Sequence, residues 1–472
     1  MIITTLKKSK LIRSSFWYTI GNFFIKGISF VTIPIFVNIT SQAEYGLINN
    51  FTSFVSIFSL VVGLSLNSCV NNASFDYRDE IKEFLSSVLF LATSSFLIFV
   101  FLGNIMFLFR NSIFDMNPLV FNLMLSQSFS TFLVAYVQAY FTIHFEHFKY
   151  LALSLISTTL NVGISVLLMQ TLLQSNKYLG RALGGALGLG IIAVILYMII
   201  MFKGKKLIDI SYWKYALKIS LPLIPHTLSN VMLAQFGRIM INSSLGASQA
   251  GIYSYISNIG IILNVVWQST NNAWVPWFYG EMNKKKYTNI KKVSNYYLLA
   301  FTVLSIVVMV GSVDLARIMA PEEYYSGLSL VIPISLGYFF QFLYSLPVNV
   351  EFYEKKTTYI ALGTVASAIV NIGLNIVFIP KLGIIAAGYT TVVTYFLLFL
   401  FHYFMAKKIT NRQLFNTSKI WFIIVFMIIF SVVLHLVINH LILRYTLLLV
   451  CLVVIGGYFI KNKKRILQEF NS

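Results

Sequence analysis

Apolar runs long enough to cross a bilayer recur along this chain, and no other feature constrains its fold as much. A run of about 18 residues or more, with few charges, is the length of a helix spanning the hydrocarbon core. Fourteen such spans are expected, at roughly 14–37, 46–67, 85–109, 118–143, 150–173, 180–202, 215–241, 251–275, 295–316, 328–350, 357–379, 384–406, 419–440 and 443–460. Their length and continuity exclude a β-barrel, whose strands alternate polar and apolar residues over about ten positions. The 472 residues are 58% hydrophobic and only 11% charged, where a soluble domain carries about 25% charge. The sequence therefore predicts an all-α polytopic membrane protein. The start, "MIITTLKKSK", leads into a full-length span with no small-residue cleavage site, so an uncleaved insertion signal is expected.

The net charge of +20 could suggest nucleic acid, but its placement argues otherwise. Of 35 Lys and Arg residues, 27 fall in the two termini and in alternate loops on one side, and seven on the other; Lys26 lies inside a span. Basic residues accumulate on the cytoplasmic side. Both termini are thus expected in the cytoplasm, with the lysines serving topology and anionic membrane lipids and no nucleic acid as partner. The two cysteines, Cys69 and Cys451, are too far apart in sequence to suggest a disulfide framework or a metal site.

The chain repeats itself. "AEYGLI" (43–48) opens the second span and "SQAGIY" (248–253) the eighth, which places Gly46 against Gly251 and Asn67 against Asn272 at an offset of 205. "YLALSLISTTLNVG" (150–163) resembles "YIALGTVASAIVNIG" (359–373), and "LGRALGG" (179–185) matches "LGIIAAG" (382–388). The expected organisation is a six-helix lobe at 1–208, a second at 209–410, and two further helices with a basic tail at 411–472. Six is even, so both copies insert the same way up, related by a pseudo-twofold along the membrane normal.

Polar residues inside spans are the functional candidates. Lys26 sits at mid-span, roughly 17 Å from either surface at 1.5 Å rise per residue, which is beyond snorkelling. A lysine there costs about 2.5–3.5 kcal/mol unless it faces a hydrated cavity. Ser15, Thr19, Asn22 and Ser29 form a polar stripe with it, which favours a cavity over burial against a carboxylate. In span 7, Arg238 shares a face with Thr227, Ala234 and Asn242, with Asn230 and His226 beside it, although snorkelling to the nearby surface accounts for it equally well. Pro222 and Pro225 should kink the inner part of that helix. Span 8 is the most polar: "NVVWQSTNNAW" (264–274) carries Asn264, Gln268, Asn271 and Asn272 with Trp267 and Trp274. Singly, each amide suits an interhelical hydrogen bond. Together, amides can meet sugar hydroxyls, tryptophan faces can stack on pyranose rings, and a cation can meet a phosphate. Asp314 and Arg317 are expected to pair one turn apart, and Glu351 and Glu354 to be solvated at the inner end of span 10. No HExxH, nucleotide-binding loop or catalytic triad is present, so neither an enzyme, nor a metal site, nor a cofactor is expected.

Three segments carry a family resemblance: "GNFFIKGISFVTIPIFVNITSQAEYGLI" from span 1 into span 2, "PEEYYSGLSLVIPISLGYFF" (321–340), and "NIGLNIVFIPKLGIIAAGYTTVVTY" (371–395). On these the chain resembles the polysaccharide-biosynthesis transporters, flippases for undecaprenyl-pyrophosphate-linked oligosaccharides of O-antigen or capsule. These belong to the multidrug/oligosaccharidyl-lipid/polysaccharide exporter superfamily. The resemblance implies two lobes around a cationic cavity, alternating access, a lipid-linked oligosaccharide substrate, and polymerase and glycosyltransferases as candidate partners in the bacterial cytoplasmic membrane. Lys26 fits the basic span-1 position of such cavities. Asn22, Arg238, Asn230, Gln268, Asn271, Asn272 and Trp267 complete the expected lining. A multidrug exporter of the same fold would be expected to use an embedded acidic residue, and a membrane oligosaccharide polymerase a large external loop. No buried carboxylate for a coupling ion is expected.

Overall fold

A computed structural model describes residue 27 and residues 30–461, the side chains of 458–461 excepted. Lys26 and Asn22 lie outside the described residues. Among those described, the chain is helical throughout, with no strand. The short helix α1 (Phe30–Ile39) is followed by α2 (Gln42–Val62), α3 (Val70–Asp76), α4 (Ile81–Met106), α5 (Pro118–Ile143), α6 (His147–Gln170), α7 (Lys177–Gly204) and α8 (Ile210–Ser220). Then come α9 (Ile224–Leu245), α10 (Ala247–Asn283), α11 (Tyr287–Met319), α12 (Val331–Tyr353), α13 (Thr357–Leu382), α14 (Ile384–Thr410), α15 (Thr417–Val437) and α16 (Leu441–Lys461). Eleven helices are long and apolar enough to cross a bilayer, and α1 and α16 are shorter apolar helices. This is a multi-pass membrane protein. By Cα packing the chain forms two compact units that divide between Gly251 and Ile252.

Side-chain caps set where helices begin. Ser41 and Glu44 form a capping box at the start of α2, each side chain accepting from the other's backbone N–H. Asn117, Asn176, Asp209 and Asn416 cap α5, α7, α8 and α15 by accepting from a first-turn backbone N–H, without the return bond. Pro118 opens α5, where its missing N–H costs nothing. Two expected spans are reshaped. The second ends early: Leu64 and Ser65 adopt positive φ near 49° and a 3-10 turn follows, so Asn67 lies on that turn. The seventh is broken outright. A 3-10 turn at Leu221–Leu223 separates α8 from α9, with Pro222 in the turn and Pro225 in the first turn of α9. Each proline removes a donor and crowds the preceding carbonyl, so the pair makes a break where a kink was expected.

In the first unit, α5 lies at the centre of an apolar core that includes Phe84, Val88, Leu133, Tyr136 and Ala216. The backbones of α6 and α7 nearly touch. A Cβ on Gly184 would stand 2.3 Å from the Ser165 Cα, and one on Gly188 would stand 2.6 Å from the Leu160 carbonyl oxygen. Lipid tails are as apolar as leucine, so close packing of small residues replaces hydrophobic drive here. Lys177 ties the ends of three helices: its backbone N–H donates to Glu44 Oε1 (3.2 Å) and its Nζ to the Ile39 carbonyl (2.6 Å).

In the second unit, α12 is the axis, buried along nearly its whole length from Val331 to Glu351. Beside it runs α14, with Gly388 against Pro333. Asn371 and Asn375 of α13 join Thr394 and Thr390 of α14 in a buried ladder with spacings of 2.5–3.2 Å. The outward face of α15 shows the reverse of a soluble protein: Phe422, Val425, Ile429, Val432 and Leu436 are all exposed. Such a face suits a bilayer and not water.

Candidate functional site

In the first unit, the polar residues of α9 lie along one helix. The Arg238 Nη1 reaches Gln235 Oε1 at 3.4 Å, and the same oxygen accepts from the Ser53 hydroxyl of α2 at 3.0 Å. The guanidinium is half-buried, and the amide oxygen it reaches is itself fixed by the Ser53 hydroxyl. Asn230, about two turns toward the helix N-terminus, is exposed and lies 3.3 Å from His226 Nε2. An exposed amide on a membrane helix needs water or a polar ligand, because lipid offers its donors nothing. The polarity of this face is also why α9 is absent from the long apolar helices.

In the second unit, Trp267, Gln268, Asn271 and Asn272 occupy two turns of α10. Gln268 and Asn272 are exposed, and Trp267 and Asn271 half-buried. The Trp267 indole N–H donates to the Ser345 hydroxyl of α12 (3.0 Å). Gln268 donates to Asn264 Oδ1 (2.6 Å), Asn264 to Gln341 Oε1 of α12 (2.8 Å), and Gln341 to the Tyr395 hydroxyl of α14 (3.1 Å). Three helices are thus joined by one polar chain that ends on exposed amides. Asn271 Oδ1 and the Trp274 indole N–H are buried without a hydrogen-bond partner among the described residues. A buried acceptor and a buried donor one turn apart are idle at a cost of about 1–3 kcal/mol each. Trp274 stacks on Tyr297 at 5.0 Å, so its ring is fixed while its N–H waits. Lys26 and Asn22 lie outside the described residues, and the other six expected lining residues divide between the two units.

Three expectations for charged residues need correction. Asp314 does not pair with Arg317. Its carboxylate takes Arg444 Nη2 (2.7 Å) and the Tyr445 hydroxyl (2.9 Å) of α16, while Arg317 lies over the Tyr325 ring. Arg444, one of the seven basic residues expected in loops on the less basic side, is fully buried; a long-range partner outcompetes the local one because it neutralises a desolvated guanidinium. Glu354 is exposed, but Glu351 is fully buried and accepts from His402 Nδ1 of α14 at 2.7 Å. The second unit therefore does contain a buried carboxylate, which sequence reasoning missed. The residues are 51 positions apart, and the only signal was a histidine inside span 12.

At the N-terminal ends of α4 and α8, outside the spans, Tyr212 donates to Glu80 Oε2 at 2.5 Å. Burial first, and that carboxylate second, push the phenol up to about 12. The Ser211 hydroxyl, and then Lys206, hold the Asp209 carboxyl well below the usual range.

An all-α, multi-pass architecture with polar helix faces defines a class of polytopic membrane protein, and the comparisons narrow it. Residues 11–280 match the model of the polysaccharide biosynthesis protein family; the chain belongs to that family. A protein of the Lsg locus of Haemophilus influenzae is 20% identical over 82% of this chain and 98% of its own length. The lipid II flippase MurJ, in an inward closed conformation, shares the fold with a TM-score of 0.72 at 17% identity, covering 95% of this chain and 99% of its own. An inward-facing multidrug resistance MATE transporter does so with a TM-score of 0.58 at 15% identity, covering 81% and 99%.

Proposed function

We propose that this protein is a flippase that moves undecaprenyl-pyrophosphate-linked oligosaccharide repeat units across the bacterial cytoplasmic membrane by alternating access, for O-antigen, capsule or another surface polysaccharide. Membership of the polysaccharide biosynthesis family is the observation that carries this reading. Its chemistry follows from the side chains. Lys26 takes the diphosphate, with Asn22 beside it and Arg238 as a second cation. Asn230, Gln268, Asn271 and Asn272 exchange hydrogen bonds with sugar hydroxyls, and Trp267 offers a stacking face. A cation in a low-dielectric cavity acts on a phosphate far more strongly than one in water. Both termini face the cytoplasm, and the protein adds no catalytic step. Polysaccharide polymerase and glycosyltransferases are its expected partners.

The test is surface polysaccharide in a deletion strain complemented with variants at matched membrane levels. Lys26→Ala should abolish export, because it removes the diphosphate anchor. Lys26→Arg should retain part, since the charge stays while a compact ammonium becomes a planar fork. Lys26→Glu should be worse than Ala through repulsion. Full export by a well-expressed Lys26→Ala variant would return Lys26 to a structural role. An unaltered surface polysaccharide in the deletion strain itself would overturn the flippase reading.

A further inference from the structure

The Glu351–His402 pair has no part in the reading above. Both side chains are 0% exposed, and they bridge α12 and α14 at 2.7 Å. Glu351 Oε2 and His402 Nε2 are buried with no hydrogen-bond partner among the described residues. A pair kept only to hold two helices together should have its remaining lone pairs satisfied, since unsatisfied ones are costly. With a neutral imidazole donating from Nδ1, both idle atoms are acceptors, and the pair carries a net charge of −1. One proton from water, added at Nε2 or Oε2, makes the pair neutral without breaking any other bond, and its loss reverses the change. Gly363 of α13 packs directly against the histidine: a Cβ there would lie 3.0 Å from Nε2 and 2.8 Å from the Phe401 ring, so the glycine keeps this side of the imidazole free of any other side chain.

The site is close to water on one side and to the polar chain on the other. Glu351 is in the last turn of α12, and Glu354, Lys355 and Lys356 just beyond it are exposed. The Tyr344 ring lies 5.9 Å from the His402 ring and stacks on Tyr395 at 6.2 Å. Tyr395 ends the chain that runs through Gln341 and Asn264 to the exposed Gln268 of α10. Titratable groups toward the same end of the surrounding helices include Tyr359 on α13, Lys291, Lys292 and Tyr297 on α11, Tyr403, Lys407 and Lys408 on α14, and Lys419 on α15, while Lys381 on α13, Asp314 and Arg317 on α11 and His435 on α15 lie toward the opposite ends of their helices. The 3-10 segment packed on α12 brings Glu322, Glu323, Tyr324 and Tyr325 at the opposite end.

We propose that Glu351 and His402 form a proton-binding site whose titration alters how α12 packs on α14 and so couples proton movement to transport. The coupling half rests on the proposed function; the proton site does not.

Infrared difference spectra of the purified full-length protein on a pH jump between about 8 and 5 test the site. Above the signal of the other five histidines, wild type should show one site band, carboxyl if the proton sits on Oε2 and imidazole if on Nε2, and Glu351→Gln and His402→Gln should each abolish it. Should a single variant fail to fold, the Glu351→Gln/His402→Gln double variant carries neither charge and should lack the same band. A band absent from wild type, or unchanged by Glu351→Gln, overturns the site. In the deletion strain, Glu351→Gln should lower export about tenfold or more at matched protein level, and Glu351→Asp should restore part of it. Wild-type export by Glu351→Gln, with the band gone, overturns the coupling. A titrating band in a protein whose deletion leaves surface polysaccharide unchanged overturns the coupling and the flippase reading together and leaves the proton site standing.

Discussion

Asp314 and Arg444 show how unequal the two members of an ion pair can be. Arg444 is 0% exposed at its side chain and Asp314 23%. Removing the aspartate strands a guanidinium that water does not reach, which costs about 3–5 kcal/mol. Removing the arginine leaves a carboxylate that already touches solvent, so Arg444→Met should cost much less than Asp314→Ala. Thermal unfolding in detergent checks the order; equal losses would mean that the pair acts through packing alone. The Asp209 carboxylate makes a second residue-scale prediction. Its folded-state value is depressed, chiefly by Ser211 and then Lys206. Its contribution is therefore present in full above about pH 4, the unfolded carboxylate range, and fades as pH falls from there. Hydrogen exchange at residues 206–212, corrected for intrinsic rates, should show acid-induced loss of protection in wild type and none in Asp209→Asn. Residues of this kind explain what the sequence could show. Span-7 and span-8 polar residues stand out because each sits alone in an apolar run. Glu351 and Asp314 do not, because each lies near a span end where a charge is ordinary, and only the fold brings His402 and Arg444 to them.

Helices were largely legible as elements: the expected spans fall mostly on helix, the first over the part described, but eleven helices rather than 14 are long and apolar enough to cross, and the seventh expected span is divided between α8 and α9. Their ends and breaks were less so. Pro222 and Pro225 announced a disturbance, but the resulting 3-10 turn depends on how both prolines share one turn. The glycines of α7 were legible only as repeats, and the structure gives them a mechanical role. Gly184 and Gly188 admit the backbone of α6, whereas Gly190, two residues on, has nothing within 4 Å of its absent Cβ. Gly184→Ala and Gly188→Ala should each destabilise by about 1–3 kcal/mol through overpacking. Gly190→Ala should be neutral or stabilising by up to about 1 kcal/mol, because it removes a helix-interior glycine at no steric cost. Equal effects at 188 and 190 would show that helix propensity, not close approach, sets the stability of α7.

The repeat leaves a trace at the scale of the whole chain. A Cβ on Gly46 would stand 1.8 Å from the Ala247 carbonyl oxygen, and a Cβ on Gly251 would stand 2.1 Å from the Gln42 carbonyl oxygen. The offset of 205 carries 42 to 247 and 46 to 251, so the two contacts exchange under it. Such reciprocity is what a local twofold between these turns produces, and it supports the proposal that the halves are parallel copies. Parallel copies require an even number of spans per copy, which fixes the topology. The segment after α7 (205–209) and the segment after α10 (284–286) should then lie on the same side, and five lysines fall in them. Basic segments are retained in the cytoplasm. A cysteine placed at Lys285 in a Cys69→Ser/Cys451→Ser background should therefore resist an impermeant maleimide in intact cells and react after permeabilisation. Cysteines in the segments 110–117 and 174–176 should react without permeabilisation. External labelling at 285 would invert the orientation. Labelling of 206 and 285 from opposite sides would remove the even count, and with it the parallel repeat.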